Sequence, residues 1–537
     1  MEAEGRNYAS SGPTLDVIGG QLSPDGWAPL EKKGKFMSLT LRKNIYALLI
    51  FISLGLILGR IMAVNTVNKI DLQKYKLNQI PKQLAEKEKR LQDLGESPEA
   101  IAAELEKTEA KLREDAQLCV PFFSANDRSR WCTIRALVEP EMRVPGAPYA
   151  IDRVRLLKNW DTIDMVKHDD HYYSSKPPLL PTMMAGVYWV LYHGFGLNFD
   201  QNLYVTCIVI LICVNLPFML LFLWASTRLA ELFGKTDFAK IFMVAAACFA
   251  TFLSTFCVTL NNHLPAAACA AVVLYLAMEM ILNGENGRFR HENSFLIGLL
   301  STFVVINELP SLSFLGAIFI MLALYLPWKT DFRQAVQHVV LWTVGVLFTL
   351  APILATNYIA HDSFRPPYMH RKAGDNWYEY TYTTANGREV TSYWQDPKGL
   401  DVGEPSRAKY AFHLTFGHHG VFSLTPIWLL SMLGAVKLLR NSDRRLQLFG
   451  LMVLGLTVLV LAFYIMRPLG DRNYGGNTCG PRWMFWLIPM WLCTLFPALE
   501  SVEDRPWGRR LALLLLLLSA VSVSFPTWNP WVHPWLY

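Results

Sequence analysis

The chain has 537 residues, 52% of which are apolar, and a formal net charge of +6 at pH 7. This composition excludes an ordinary soluble protein, and the recurrent long apolar runs predict an all-α polytopic membrane protein. The basic residues are scattered, and no zinc-finger spacing or Walker loop is present, so nucleic acid is not expected as a partner.

The apolar runs predict about eleven transmembrane helices, with about ten to thirteen as the range, since a bilayer core needs about 20 apolar residues per helix. The first is expected at 45–64, behind a cytoplasmic polar tail at 1–44 that does not read as a cleaved signal peptide. The other predicted helices lie near 203–225, 240–258, 263–282, 294–307, 311–327, 338–357, 421–437, 446–465, 481–498 and 510–526.

The positions of Lys and Arg predict which loops are cytoplasmic, because short cytoplasmic loops collect basic residues. The short basic loops all fall on the cytoplasmic face only if the apolar run 178–196 does not cross the membrane. We therefore interpret 178–196 as an amphipathic or re-entrant helix at the outer interface, started by Pro177 and Pro178. The loops then predicted on the non-cytoplasmic face are 65–202, 259–262, 308–310, 358–420 and 466–480.

The first outer loop, 65–202, begins with a charged insertion at 81–117 in which Leu and Ala recur at helical spacing. Gly95 breaks this pattern and Ser97 restarts it as a helix cap, which predicts a coiled-coil-like helical hairpin. The hairpin is expected to be a spacer or an arm that docks a protein partner. The segment 118–202 that follows is the expected catalytic part.

Transmembrane helices at 203–357 and 421–537 flank the second outer loop, 358–420. In this loop, Asn386-Gly387 between β-forming residues predicts a small β-hairpin. Its many Tyr and Trp residues either stack on sugar rings or pack a small sheet, and we favour packing.

Polar residues of the outer loops form several candidate sites. Asp127, at the start of the short helix in 126–139, is either a helix-capping aspartate or a functional carboxylate. Lys176, in "YYSSKPPLLP", either binds a lipid phosphate or extends its charged end to the interface. His263 and Glu308 lie at helix junctions, where polar groups serve function or helix packing.

The late loop "RPLGDRNYGGNTCGPRW" at 467–483 has three arginines, an aspartate and four glycines. Glycines let the backbone approach a ligand, and arginines bind phosphate oxygens in pairs of hydrogen bonds, although a turn-rich connector is the alternative. Together, the polar residues of the outer loops predict a single site on one face. It has a carboxylate and several cations beside a lipid-accessible groove. Transfer from a lipid-phosphate donor needs such charges and a base.

The stretches "DRSRW" (127–131), "YSSKPPLL" (173–180) and "NYGGNTCGPRW" (473–483) resemble the GT-C superfamily of membrane glycosyltransferases. The likeness is greatest to the branch of the lipid A aminoarabinose transferase and the protein O-mannosyltransferases. The resemblance implies inverting hexosyl or pentosyl transfer from a polyprenyl-phosphate sugar to a lipid, glycan or protein acceptor. It also implies an outer-face site in a bacterial inner membrane.

The resemblance assigns catalysis to Asp127 and the donor phosphate to Lys176, with Arg482 as a second phosphate ligand. Arg467, in the same late loop, is a further candidate for the donor phosphate. Many relatives carry a second acid where this chain has Arg128. Asp127 is then a lone base, or it shares the role with Glu139, Glu141 or Asp152, or the arginine ties it up. The other side chains expected to line the site are Arg128, Arg130, Tyr173, His263, Glu308, Asp471 and Tyr474. A divalent metal is allowed but not required.

Two other classes of function are compatible with a polytopic membrane chain: a transporter or flippase, and a non-catalytic membrane scaffold. Transporters often carry internal repeats and place polar residues at mid-membrane. This sequence shows no such repeat, and its polar residues gather on one face. A glycosyltransferase is therefore the preferred interpretation.

Overall fold

The computed structural model describes residues 37–64, 69–117, 121–283, 290–372, 374–384 and 387–537. Its α-helices, α1 to α18 in chain order, are Leu39–Ala63, Lys69–Asp93, Pro98–Gln117, Ala125–Val138, Leu179–Phe195, Leu203–Phe233, Asp237–Phe249, Leu253–Phe256, His263–Asn283, His291–Asn307, Leu312–Lys329, Phe332–His361, Arg407–Thr415, Val421–Leu424, Ile427–Leu438, Arg444–Ile465, Ile488–Val502 and Pro506–Ser524. Six short strands, β1 to β6, are Met165–His168, His171–Ser174, Arg371–Lys372, Asp375–Asn376, Thr381–Thr383 and Glu389–Thr391.

Within the described ranges, nine helices are long and apolar enough to cross a membrane. The chain is thus an all-α polytopic membrane protein, as the composition predicts. The two remaining predicted spans are helical but short: α10 has 17 residues and α15 has 12. Proline explains both, since Pro310 follows the end of α10 and Pro426 directly precedes α15.

The helices that carry site residues form the core of the bundle. In the spans that begin at His263 and at Arg482, 89% and 78% of the apolar window is buried, against 17% in α12. His263 and Arg482 each stand at the first position of such an enclosed span. The core therefore fixes these two side chains at one end of the bundle.

Ion pairs join the helix ends at the opposite end. Arg42 of α1 contacts Glu231 at 2.7 Å and Asp237 at 2.5 Å, which ties α1 to the junction of α6 and α7. Thr236 in that junction donates to Glu503 at 2.6 Å, which adds the α17–α18 junction. These loops are among those predicted to share the cytoplasmic face, and the structure gathers them at one end. Which membrane face they occupy stays a prediction.

The run predicted as an outer helix is α5, a 17-residue helix that starts directly after Pro178. It packs against α4 and α6, and it is not among the candidate spans. Tyr188 on its buried face donates to Glu139 at 2.6 Å, while Trp189 on the other face is exposed. This two-sided burial agrees with an interfacial position.

Among the described residues, the outer loops form three small hairpins, and two of them pack on each other. β1 pairs with β2 from Met165↔Ser174 to His168↔His171, a hairpin that the sequence analysis did not predict. β5 pairs with β6, which confirms the predicted hairpin, although Asn386 lies outside the described residues. Tyr380 is buried and donates to the carbonyl of Met165 at 2.9 Å, so aromatic side chains here pack the sheets.

The charged insertion forms the helical hairpin α2–α3. Gly95 occupies the turn with φ +74°, and the Ser97 hydroxyl accepts from the amide of Ala100 at 3.2 Å, as predicted. The first helix starts at Lys69 rather than at 81, and it contains Pro81 in its interior. Lys87 links the two helices through Glu104 at 2.6 Å. The role of this hairpin as a docking arm stays a prediction.

Candidate active site

A cavity of about 940 Å³ lies at the end of the bundle where the outer loops meet. The two outer loops, the α10–α11 junction, the loop before α17 and the C-terminal segment all contribute to its wall. Its charged lining residues are Arg130, Asp164, Lys176, Glu308, Arg371, Lys398, Asp401, Arg467, Asp471 and Arg482. Basic side chains outnumber acidic ones, so the cavity favours an anionic ligand.

Lys176 enters the cavity from the segment between β2 and α5. Its Nζ lies 2.7 Å from Oδ2 of Asp164, and the hydroxyl of Ser175 contacts the other oxygen of that carboxylate. Burial acts to raise the pKa of the Asp164 carboxyl, but the ion pair with Lys176 and the Ser175 hydrogen bond outweigh it. The pKa of Asp164 therefore lies below its ordinary value, and the carboxylate stays ionised beside the lysine.

Arg482, His263 and Glu308 form a second chain of contacts. An arginine can only donate, so its contact with Nε2 of His263 at 2.9 Å makes that nitrogen the acceptor. The proton of His263 is then on Nδ1, which contacts Oε1 of Glu308. Asn262 donates to the same oxygen at 2.9 Å. Glu308 thus orients His263, and His263 orients the guanidinium of Arg482.

Arg130 completes a cluster of three cations with Lys176 and Arg482. It projects from α4 and donates to Oδ1 of Asn126 at 2.5 Å and of Asn262 at 2.6 Å. Burial lowers its pKa to about 10, with Asp164 acting against this and the charge of Arg482 adding to it. Burial likewise lowers the pKa of Lys176, and Arg130 and Arg482 contribute to that shift. A bound anion would relieve this mutual repulsion.

Asp401 is a cavity carboxylate that sequence reasoning missed. It accepts from the hydroxyl of Tyr393 at 2.8 Å and from Nδ2 of Asn473 at 3.2 Å, and burial raises its pKa. No cation lies within ion-pair distance of it among the described residues. Gly403, at φ +89°, lets this loop approach the late loop, since a Cβ there would lie 1.9 Å from the carbonyl oxygen of Leu469.

Asp127 lies behind the cavity wall rather than on it. It is fully buried in a capping box with Ser124 and accepts from the amides of Phe123, Ser124 and Arg128 at 2.8 to 3.1 Å. It also accepts from the hydroxyl of Thr259 at 2.8 Å. These donors occupy the carboxylate, so the position does not favour the predicted base role. The capping alternative describes its environment.

The proposed partners of Asp127 lie elsewhere. The guanidinium of Arg128 donates to the carbonyl of Asp161 at 2.6 Å and does not tie up the aspartate. Glu139 pairs with Arg135 at 2.7 Å, and Asp152 contacts His171 at 2.8 Å. Glu141 is exposed and does not line the cavity. Among the described residues, no hydrogen bond joins any of these three acids to Asp127.

Replacing Asp127 with asparagine is expected to lower the free energy of unfolding by about 3 kcal/mol, because an amide group would face buried donors. Ser124→Ala, which removes only the capping hydroxyl, is expected to cost about 1 kcal/mol. Thermal unfolding in detergent measures both. Equal Tm values for Asp127→Asn and the wild type would contradict the structural role.

The other residues predicted for the site fall into two groups, those that line the cavity and those that do not. The structure brings Lys176, Arg482, Arg467, Arg130, His263, Glu308 and Asp471 together around the cavity. It leaves out Asp127, Arg128, Tyr173 and Tyr474, which do not line it. Tyr173 packs against His361 with ring centroids 4.9 Å apart, and Tyr474 stacks on His419 at 4.9 Å. Both are buried packing residues.

Arg467 lines the rim of the cavity with its charge already shared. Its guanidinium lies 2.7 Å from Asp471, which also contacts Arg371 at 3.5 Å. Its role as a phosphate ligand stays a prediction. Among the described residues, no group of three or more His, Cys, Asp or Glu is placed to hold a metal ion, and the use of a divalent metal also stays a prediction.

Asp164 was also missed, although the sequence carries a signal for it. A hairpin turn at "HDD" (168–170) sets Met165 opposite Ser174, which places Asp164 beside Ser175 and Lys176. Asp401 has no such signal, since its position depends on contacts between distant segments.

No family model and no curated protein matches the chain. Among solved structures, ArnT from Cupriavidus metallidurans in the apo state is 14% identical over 75% of this chain and 60% of its own, with a TM-score of 0.42. The same protein bound to undecaprenyl phosphate is 15% identical over 75% of this chain and 63% of its own, with a TM-score of 0.40.

The Archaeoglobus fulgidus oligosaccharyltransferase, in complex with Zn and sulfate, is 11% identical over 78% of this chain, with a TM-score of 0.44. The chain spans 51% of that protein's length and 60% and 63% of the two ArnT structures, which is less than two thirds in each case. At these scores the likenesses carry no conclusion about activity, and the function is argued from the cavity itself.

Proposed function

We propose that the chain is a membrane glycosyltransferase that moves one sugar from a polyprenyl-phosphate donor to an acceptor hydroxyl. The observation that carries the proposal is the cluster of Arg130, Lys176 and Arg482 in a cavity at the end of a membrane bundle. Three mutually repelling cations stabilise an anion, and a phosphate provides several oxygens for them.

The donor lipid is expected to reach these cations along an apolar part of the wall. Leu180, Ile306, Leu309 and Phe463 line the cavity, near the start of α5, the α10–α11 junction and the end of α16. Leu309 and Phe463 are also exposed large apolar side chains. A polyprenyl chain can therefore lie against the bundle while its phosphate contacts Lys176.

Transfer forms a bond between the acceptor oxygen and the anomeric carbon and breaks the bond from that carbon to the phosphate oxygen. The polyprenyl phosphate leaves with the bonding electron pair, and the cation cluster stabilises its charge. The acceptor proton goes to a carboxylate, for which we propose Asp401. Asp164 is bound to Lys176, so it lies at the phosphate end and serves to hold that lysine.

We propose that the transfer inverts the anomeric carbon, as expected for a single direct displacement. The acceptor must attack from the face opposite the leaving phosphate, and Asp401 contacts neither Lys176 nor the other cations directly. A raised pKa also makes Asp401 a better base than Asp164 at neutral pH. We propose a hexosyl or pentosyl group as the transferred sugar and a lipid, glycan or protein as the acceptor.

The proposed location is the inner membrane of a bacterium, with the N-terminus cytoplasmic and the cavity on the outer face. The positive-inside pattern of the loops supports this orientation. Accessibility labelling of Lys398→Cys, at the cavity, in a variant whose native cysteines are replaced tests this orientation. Labelling by a membrane-impermeant maleimide from the outer side only is the expected result, and labelling from the cytoplasmic side only would reverse the orientation.

Binding of a lipid phosphate tests the site without knowledge of the sugar. Protein in nanodiscs is titrated with undecaprenyl phosphate and, as a matched control, with undecaprenol, which has the same tail without the charge. We expect binding of the phosphate that weakens as salt concentration rises, and little binding of the alcohol. Equal affinity for both lipids would leave the cation cluster without its proposed ligand.

The acid limb of kcat/KM against pH is expected to report the pKa of Asp401 above the ordinary aspartate value of about 3.9. Burial raises this pKa, and the Tyr393 hydrogen bond opposes the shift. Tyr393→Phe removes that bond, so activity should be lost at a higher pH as the solution is acidified. An acid limb that does not move, or that moves to lower pH, would contradict the assignment.

A further inference from the structure

We propose that Asp127, Thr259 and Trp531 form a chain of contacts that positions Arg482, which makes the C-terminal segment part of the donor-phosphate site. The proposal rests on the proposed function in one respect, namely that Arg482 binds the donor phosphate. It gives Asp127 a positioning role in place of proton transfer.

Trp531 connects the C-terminal segment to the cavity. It is 8% exposed, lines the cavity, and lies with its ring centroid 5.0 Å from the guanidinium carbon of Arg482. Phe256 packs edge-on against the same indole, with centroids 5.6 Å apart. A cation held over an indole face is attracted to it, so Trp531 restrains the guanidinium from one side.

The hydrogen bonds behind Trp531 have only one possible direction while Asp127 is ionised. The indole Nε1–H can only donate, and it lies 3.3 Å from the hydroxyl oxygen of Thr259. A carboxylate can only accept, so the Thr259 hydroxyl donates to Asp127 at 2.8 Å. Thr259 therefore accepts from Trp531 and donates to Asp127, and the buried carboxylate fixes the orientation of the whole chain.

The C-terminal segment is also attached to the loop that carries Arg482. The amide of Cys479 donates to the carbonyl of Pro530 at 3.0 Å, three positions before the arginine. Trp535 donates through its indole nitrogen to Ser522 at 2.8 Å, which fastens the segment to α18. Trp531 is thus held from both sides and can act as a fixed surface for the guanidinium.

The hydrogen bonds of Arg482 leave part of its guanidinium group without a partner. It donates to His263 at 2.9 Å and to the carbonyl of Gly475 at 3.1 Å. Within the described residues, its buried Nε has no hydrogen-bond partner. A guanidinium placed against an indole face keeps its edge free for an anion, and Arg482 lines the cavity. Positioning by Trp531 therefore serves anion binding.

The first test compares variants that differ by one group. Thr259→Val removes the hydroxyl and keeps the shape, whereas Thr259→Ser keeps the hydroxyl. Trp531→Ala removes the ring, whereas Trp531→Phe keeps an aromatic face and loses the N–H. We expect Trp531→Ala to weaken binding of undecaprenyl phosphate by about 3- to 30-fold. Thr259→Val should reduce the affinity by a smaller factor, and Thr259→Ser should bind the lipid nearly as tightly as the wild type.

A double-mutant cycle separates positioning from general damage. If Trp531 acts through Arg482, the effect of Trp531→Ala on lipid-phosphate affinity should largely disappear in an Arg482→Lys background. In transfer assays the donor KM should rise while kcat stays nearly constant. Additive effects of the two changes, or a loss in Thr259→Ser equal to that in Thr259→Val, would overturn the proposal.

A second readout needs neither transfer nor lipid binding. Protein labelled with 5-fluorotryptophan gives a 19F resonance for Trp531, assigned by its loss in Trp531→Phe. Thr259→Val and Arg482→Lys should each displace this resonance, and Thr259→Ser should not. Displacement without any lipid-phosphate binding would contradict the proposed function but keep the contact chain. An undisplaced resonance in both variants would overturn the chain itself.

Discussion

Replacing Asp401 with asparagine is expected to lower kcat by about 10²–10⁴-fold, the usual range for loss of a general base. Asparagine keeps the size of the side chain and can still bind Tyr393 and Asn473, so the loop that carries it should keep its position. The affinity for undecaprenyl phosphate should change little, because among the described residues no cation of the cluster contacts Asp401.

Asp375→Asn is the matched control for this experiment. Asp375 belongs to the same outer loop but contacts His370 at 2.9 Å and does not line the cavity. Its replacement should leave kcat near the wild-type value. A full loss of transfer in Asp127→Asn or Asp164→Asn, with Asp401→Asn active and all variants folded, would move the base to one of those residues.

Replacing Lys176 with methionine is the second change with a large expected effect, and it should act in two ways. Asp164 is nearly buried and would lose its counter-charge, which costs about 3–5 kcal/mol of stability when one partner of a buried pair is removed. The affinity for the donor should fall as well, by about tenfold or more, since a charge-assisted phosphate contact is lost.

The double variant Asp164→Asn/Lys176→Met separates these two effects. It removes both charges of the pair, so the Tm should recover toward the wild-type value. Binding of undecaprenyl phosphate should stay weak, because the cation is still missing. Recovery of lipid-phosphate affinity together with Tm would show that Lys176 only balances Asp164 and does not bind the donor.

The sequence predicts the membrane fold well because hydropathy, loop charge and proline positions act locally. All the predicted apolar runs are helical, and Pro177-Pro178 starts α5 as expected. Span ends are harder to predict, since α10 begins at His291 rather than at 294, and α15 begins at Ile427 rather than at 421. The hairpin β1–β2 was missed because its strands are only four residues long and lie between irregular segments.

The candidate site is only partly predictable for a physical reason. Lys176 and Arg482 can be recognised from unusual local sequence: the lysine precedes two prolines, and the arginine follows a glycine-rich loop. The role of Asp401 depends on contacts with Tyr393 and Asn473 from other parts of the chain. Asp127 was given the base role by motif, but its helix start places it among backbone amides, where a carboxylate is used for capping.

The most direct test of the central claim is sugar transfer in proteoliposomes. The wild type, Asp401→Asn and Asp375→Asn are compared with a panel of polyprenyl-phosphate sugars and a crude envelope extract as acceptor. We predict transfer from at least one donor by the wild type and Asp375→Asn, with little or none by Asp401→Asn. Folded wild-type protein that transfers sugar from none of the donors would contradict the glycosyltransferase assignment and favour a transporter or a scaffold.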